Sequence, residues 1–157
     1  MLKYVDTMVT FSEVPDEIAL CIDISNCPCH CKGCHSPYLA QDIGKDLTQR
    51  ALERMIQDNK GVSCVCLMGG DADPSIINML GEVIHKQDKK SAWYSGRQEL
   101  SDKIDLANFD FIKLGPYKEE HGPLNNPNTN QRFYEVNRLS KLPPKFILSD
   151  ITNKFWK

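Results

Sequence analysis

Four of the seven cysteines lie within eight residues, in the stretch CPCHCKGC from Cys27 to Cys34. Three of them, Cys27, Cys31 and Cys34, have the spacing C-x3-C-x2-C. Three thiolates in one short loop can each bind one corner of a cubic iron–sulfur cluster, which leaves the fourth iron without a protein ligand. An open iron makes such a cluster reactive rather than a plain electron carrier. The loop therefore predicts redox chemistry on a bound molecule.

Other uses of these cysteines remain open at this point. A disulfide framework usually has an even number of cysteines and follows a secretion signal, whereas this chain has seven and begins MLKYVDTMVT, without an apolar signal core. A structural zinc site usually draws its ligands from two separated pairs, although His30 or His35 could complete one here. Cys29 lies inside the loop and creates a competing C-x-C-x-C register.

Length and charge restrict the class of protein. The 157 residues suffice for one domain with a sizeable core, and we expect a single domain over residues 1–157, whereas a complete eightfold β/α barrel typically needs about 250 residues. The net charge of −2 gives no indication of a basic surface that would bind nucleic acid. The longest apolar run, residues 62–68, is far shorter than the roughly 20 residues that span a membrane. We expect a cytoplasmic protein with reduced thiols that binds neither nucleic acid nor membrane.

The hydrophobic pattern predicts strands that alternate with helices. A strand is expected near Tyr4–Phe11, and residues 17–25 alternate with a period of two and lead directly into the cysteine loop. Thr48 and Asp73 are suitable N-caps for two helices, the second with Pro74 at its first position. Further strands are expected over residues 62–68, 91–95 and 109–114, with shorter ones at 133–136 and 146–148. This alternation predicts a parallel sheet with right-handed crossovers.

Three features of the remaining sequence have structural interpretations. A short helix is expected near Gln98–Asp105. Residues 116–130 are rich in Gly, Pro and Asn, which predicts an irregular loop. Cys21, Cys64 and Cys66 lie on predicted strands, where small thiols usually pack in the core.

The ends of the predicted strands carry the residues that could form one site. In parallel β/α folds, ligand sites collect at the carboxyl ends of the strands. Four segments occupy such positions, namely the cysteine loop, Gly69-Gly70-Asp71, Ser95-Gly96 and Gly115-Pro116-Tyr117. We therefore expect these segments to surround one binding site.

The C-x3-C-x2-C loop directly after a strand resembles the cluster loop of the radical S-adenosylmethionine superfamily. The resemblance implies an α/β fold, as a partial (incomplete) parallel β/α barrel, with a [4Fe–4S] cluster on Cys27, Cys31 and Cys34. It also implies that S-adenosylmethionine chelates the open iron and is cleaved reductively to a 5′-deoxyadenosyl radical. The radical would then abstract a hydrogen atom from a substrate carbon.

The same resemblance assigns cofactor contacts to individual residues. Gly69 and Gly70 match the family's glycine-rich stretch at the methionyl amino group, and Asp71 can supply an acceptor carboxylate. Gly33 and His35 flank the third cysteine, where the family places groups close to the adenine. The pair Ser95-Gly96 completes this expected set of contacts.

A finer resemblance is to the proteins that activate anaerobic ribonucleoside-triphosphate reductase. It rests on the short chain and on GGDADP from Gly69, Tyr94-Ser95-Gly96, IKLGPY from Ile112, and Asn130-Gln131-Arg132, although GGDADP has one extra residue between the aspartate and the proline. The implied partners are the large, glycyl-radical subunit of that reductase and an electron donor such as flavodoxin or ferredoxin. Alternatives are another glycyl-radical enzyme, a small-molecule substrate, or a non-catalytic iron–sulfur carrier or zinc-binding module.

Overall fold

The structure is a computed structural model that describes residues 1–34 and 36–156. Within these residues, one eight-stranded sheet and two α-helices make up the regular structure. The strands are β1 (Lys3–Thr10), β2 (Ala19–Ile24), β3 (Lys45–Asp46), β4 (Cys64–Met68), β5 (Lys90–Tyr94), β6 (Phe111–Leu114), β7 (Arg132–Lys141) and β8 (Pro144–Asp150). The helices are α1 (Gln49–Asp58) and α2 (Pro74–Lys86), and short 3-10 turns cover Pro37–Ala40, Leu106–Asn108 and Thr152–Phe155.

The sheet has a parallel centre and antiparallel flanks. Its strand order is β3-β1-β2-β4-β5-β6-β7-β8. Strands β2, β4, β5 and β6 pair in parallel, as the strand–helix alternation predicts. Strands β1 and β3 on one side and β7 and β8 on the other pair antiparallel, so the whole sheet is mixed. The partial β/α barrel stays a prediction.

Both helices begin at the residues that the sequence predicts. Thr48 Oγ1 accepts a hydrogen bond from Ala51 N at 3.0 Å, and Asp73 Oδ1 accepts one from Ile76 N at 3.3 Å. These side chains satisfy backbone donors that have no partner within the first helical turn. The helices contain 10 and 13 residues, and in the described chain none is long and apolar enough to cross a membrane.

The two faces of the central strands are built from different residues. Because successive side chains of a strand point to opposite faces, β2 places Leu20 and Ile22 on one face and Cys21 and Asp23 on the other. The first face, here called the helical face, carries the larger hydrophobic core and packs against α1 and α2. The second, here called the open face, carries a smaller buried cluster of Val14, Ala19, Cys21, Cys64, Cys66, Ala92, Phe111 and Phe133. The predicted packing role of the three strand cysteines is confirmed.

The helix expected near Gln98–Asp105 is wrong, because only the 3-10 turn Leu106–Asn108 forms in this connection. Ser101 Oγ accepts from Lys103 N at 3.2 Å, and Asp105 Oδ1 accepts from Ala107 N at 2.9 Å. Such local side-chain bonds give the backbone an alternative to the helical pattern.

The C-terminal strands are longer than predicted. Strands β7 and β8 form an antiparallel hairpin that pairs from Tyr134 opposite Asp150 to Lys141 opposite Pro144. Cross-strand pairing extends them beyond the short apolar runs visible in the sequence. The irregular loop predicted over residues 116–130 is confirmed, since it contains turns but no strand or helix.

Candidate functional site

A cavity of about 1540 Å³ lies against the open face. Its wall contains residues from the loops that follow all four parallel strands, namely Cys27, Cys29, Cys31 and Cys34 after β2, Gly69 and Asp71 after β4, Gly96 after β5, and Tyr117 after β6. The structure therefore brings most of the predicted site residues together. Gly33, Gly70 and Ser95 do not line this cavity, and His35 lies outside the described residues.

The cysteine loop is held at its start by backbone hydrogen bonds. Asn26 N donates to Gln41 O at 3.1 Å, and Cys27 N donates to Leu39 O at 2.9 Å. Asn26 (φ 59°) and His30 (φ 47°) adopt the left-handed backbone conformation, which is uncommon for residues other than glycine. The chain turns at both positions. The loop is thereby folded back over the carboxyl end of the sheet.

The donor set of the loop fits an iron–sulfur cluster. All seven cysteines are free thiols, and the four in the loop are half-buried at the cavity. Ser36 N donates to Cys34 Sγ at 3.4 Å, a backbone contact of the kind that tunes cluster sulfurs. Among the described side chains, no three Cys, His, Asp or Glu converge on a single metal ion. A cubic cluster does not need that convergence, because each thiolate binds a different iron.

Asp71 joins the loops that follow β4 and β5. Its Oδ1 accepts from Ser95 Oγ at 2.5 Å, and its Oδ2 accepts from Gly96 N at 2.8 Å. The thiol of Cys29 also donates to Oδ2, at 3.6 Å. Burial, followed by the charge of Asp71 and the neighbouring Cys27, raises the pKa of Cys29 to about 12. Both carboxylate oxygens of Asp71 are thus already used by the protein.

Lys113 is a cavity residue that lies outside the set of contacts expected from the sequence. It is only 7% exposed, and its Nζ donates to Ser95 O at 3.0 Å and to Gly115 O at 2.8 Å. Burial lowers the pKa of Lys113 to about 8, although Asp71 and the loop cysteines favour its charged form. The available signal was a lone lysine in the otherwise apolar strand FIKL.

Four glycines are predicted as cofactor contacts, of which Gly96 lines the cavity and the other three have different surroundings. Gly69 lines the cavity, has φ 110°, and its carbonyl accepts from Trp93 Nε1 at 2.6 Å. Gly70 has φ 90°, and a side chain there would meet Ile77 on the helical face. Gly33 is exposed, and a side chain there would meet Glu119 from the loop 116–130. Of these three, only Gly69 borders the cavity.

The cavity wall also contains acidic and apolar side chains from the strands of the open face. Asp23 lines the cavity, and burial raises the pKa of this carboxyl, with Asp6 and Glu13 raising it further. Tyr94 also lines it and donates its hydroxyl to Glu13 O at 2.5 Å. Asp23, Met68, Tyr94 and Lys113 are register partners on adjacent strands, so they form one row across the open face.

Comparison with known proteins identifies the family of the chain. The family described as 4Fe-4S single cluster domain matches residues 18–131, which run from the residue before β2 to the residue before β7. No curated protein and no solved structure matches the chain. The matched segment covers more than half of the sequence and contains the whole cysteine loop, Asp71 and Lys113. The chain therefore belongs to the 4Fe-4S single cluster domain family and is an iron–sulfur protein.

Proposed function

We propose that the chain is a radical S-adenosylmethionine activase that installs a glycyl radical on anaerobic ribonucleoside-triphosphate reductase. The observation that carries this proposal is the shared cavity, which places the C-x3-C-x2-C loop beside the loops that follow β4 and β5. Cys27, Cys31 and Cys34 would hold a [4Fe–4S] cluster, which would supply the one-electron chemistry for reductive cleavage of S-adenosylmethionine and hydrogen abstraction from a glycine of the partner.

The cysteines determine which iron is available. Cys27, Cys31 and Cys34 provide three thiolates, so one iron has no ligand from this set. The loop that carries them is folded onto the sheet by the backbone bonds of Asn26 and Cys27. All three cysteines line the cavity, so a cluster held by them would border it.

The cavity wall offers groups that suit the charged end of S-adenosylmethionine. Gly69 has no side chain, so a ligand can come close to its backbone. The ammonium of Lys113 keeps one N–H beyond its two carbonyl contacts and can bind a carboxylate through a charge-assisted hydrogen bond. Asp71 orients the surrounding loops, since its oxygens are bonded to Ser95 and Gly96.

The space that remains suits a segment of another protein. The cavity extends past the cysteines to Phe11 and Met8, whose side chains are 75% and 65% exposed, and to Leu124 in the loop 116–130. A glycine on an extended loop could enter because it has no side chain to clash. The partner in this proposal is the glycyl-radical subunit of the reductase, and a flavodoxin or ferredoxin supplies the electron.

The first test is anaerobic reconstitution with iron and sulfide, followed by S-adenosylmethionine and dithionite. We expect 5′-deoxyadenosine and methionine in equal amounts from the wild-type protein and none from Cys31→Ala. A reconstituted cluster that is reduced normally but yields no 5′-deoxyadenosine would instead identify an electron carrier.

The second test identifies the partner. The reconstituted protein, S-adenosylmethionine and reductant are mixed with the anaerobic reductase of the same genome, and the mixture is examined by electron paramagnetic resonance. We expect a glycyl-type doublet that depends on Cys31. Cleavage of S-adenosylmethionine without this doublet would exclude that reductase and leave another glycyl-radical enzyme or a small molecule as the target.

A further inference from the structure

Cys29 is the loop cysteine that does not belong to the C-x3-C-x2-C spacing, yet it has defined contacts. Its thiol donates to Asp71 Oδ2 at 3.6 Å. Its Sγ also lies against the loop after β5, because a methyl group added at Gly96 would come within 2.7 Å of it. The side chain is therefore packed between the loops that follow β4 and β5.

The acceptor of Cys29 is itself fixed. Asp71 is only 7% exposed, and the β5 loop donates to both of its oxygens through Ser95 and Gly96. From Ser95 the connection continues to β6, because Ser95 O accepts from Lys113 Nζ, which also donates to Gly115 O. One hydrogen-bonded chain thus links the loops at the carboxyl ends of all four parallel strands.

We propose that Cys29 is a positioning residue that fastens the cysteine loop to this chain and is not an iron ligand. The proposal rests on the cluster ligands Cys27, Cys31 and Cys34 of the proposed function. Because the Cys29 thiol donates to the buried carboxylate of Asp71, its sulfur is bonded within the protein. The sulfurs of Cys27, Cys31 and Cys34 then remain available for iron. The loop is then held in place next to Gly69 and Lys113 before the cluster is inserted.

Gly96 provides an independent way to disturb this contact. Its backbone φ is not in the left-handed region, so alanine introduces no strain of the backbone itself. The new methyl would displace the Cys29 side chain, whose Sγ and Cβ lie 2.7 Å and 3.2 Å from it. Removal of the sulfur in Cys29→Ala makes room for that methyl. The effects of the two substitutions should therefore not add, because both break the same contact.

The experiment compares Cys29→Ser, Cys29→Ala, Gly96→Ala and the double variant with the wild-type protein. Iron per chain, the electron paramagnetic resonance spectrum of the reduced cluster and the rate of iron release to a chelator are measured, with circular dichroism to confirm folding. We expect every variant to bind iron. Cys29→Ala and Gly96→Ala should release it roughly threefold to tenfold faster, the factor that one lost hydrogen bond implies. The double variant should match the single ones, and Cys29→Ser should restore the wild-type rate and spectrum because its hydroxyl can still donate to Asp71.

Two results would overturn the proposal. Loss of the cluster in both Cys29→Ser and Cys29→Ala, as in Cys31→Ala, would make Cys29 a ligand. Wild-type release rates in Cys29→Ala and Gly96→Ala would make the contact irrelevant to the cluster. Neither readout uses S-adenosylmethionine. Failure to cleave S-adenosylmethionine would contradict the proposed function, whereas the role of Cys29 is decided by iron release alone.

Discussion

The helical and open faces of the same four strands differ in the size and polarity of their side chains. On β2 the helical face carries Leu20, Ile22 and Ile24, whereas the open face carries Ala19, Cys21 and Asp23. On β5 the same division separates Trp93, which is buried under α2, from Tyr94, which lines the cavity. Large buried hydrocarbon groups cover the helical face, while small and polar groups line a cavity on the open face.

The open face carries buried charged groups that folding alone does not require. Burial of an ammonium group is unfavourable unless it is hydrogen-bonded, and Lys113 is buried on the open face with two carbonyl partners. Asp23 occupies the same row across the sheet, and burial raises the pKa of its carboxyl. Such groups do not improve a core, so their presence beside the cysteine loop favours a role in binding or catalysis.

The largest expected effect is loss of iron from the open face. Alanine at Cys27, Cys31 or Cys34 should reduce iron after anaerobic reconstitution from roughly four atoms per chain to near none, because two thiolates cannot hold a [4Fe–4S] cluster. Cys64→Ala is the matched control, since Cys64 is fully buried on β4 and should not affect iron binding. Iron loss in Cys64→Ala, with the fold intact, would contradict the division between ligand and packing cysteines.

The helical face should respond to truncation with a loss of stability instead. Leu80 on α2 is fully buried, so Leu80→Ala should lower the free energy of unfolding by about 2–5 kcal/mol. Met79 on the same helix is partly exposed, and Met79→Ala should change it by no more than about 0.5 kcal/mol. Urea denaturation of the iron-free variants measures both values. Equal effects at the two positions would mean that α2 does not pack as described.

Lys113 should give the open face a distinct pH dependence. Its pKa falls from 10.5 to about 8 on folding, so between these values the unfolded chain binds more protons and stability rises with pH. In iron-free protein, the free energy of unfolding of the wild type relative to Lys113→Met should therefore increase by about 2–3 kcal/mol from about pH 7 to about pH 10. A flat difference across this range would show that the ammonium is not desolvated.

Gly70 tests the boundary between the two faces. Because it has φ 90° and a side chain there would meet Ile77, Gly70→Ala should destabilise the fold by more than about 1 kcal/mol. The substitution should leave iron content and S-adenosylmethionine affinity unchanged in the folded protein. Weakened binding of S-adenosylmethionine with normal stability would show that Gly70 belongs to the cofactor site, as the sequence predicts.

Local sequence signals predict the fold well where they act within a few residues. The caps Thr48 and Asp73 and the alternation along β2 fix elements that the structure contains. The hairpin of β7 and β8 extends further than its apolar runs, because cross-strand pairing adds polar positions to the strands. The connection at Gln98–Asp105 fails as a helix because Ser101 and Asp105 bond to nearby backbone.

The site is predictable from spacing but not in its detail. The strand-end rule brings Cys27, Gly69, Asp71 and Gly96 to one cavity. The sequence does not show that Asp71 is already bonded by Ser95, nor that Lys113 reaches the same chain of hydrogen bonds, since both depend on how adjacent strands align.

The most direct test of the account is whether S-adenosylmethionine binds iron in the cavity. The reduced, reconstituted protein is frozen with S-adenosylmethionine labelled with 15N at the methionyl amino group, and electron–nuclear double resonance measures the coupling of the label to the cluster. We expect a coupling that shows direct bonding in the wild type and in Cys64→Ala. A reduced cluster whose spectrum is unchanged by S-adenosylmethionine, with no coupling to the label, would contradict it.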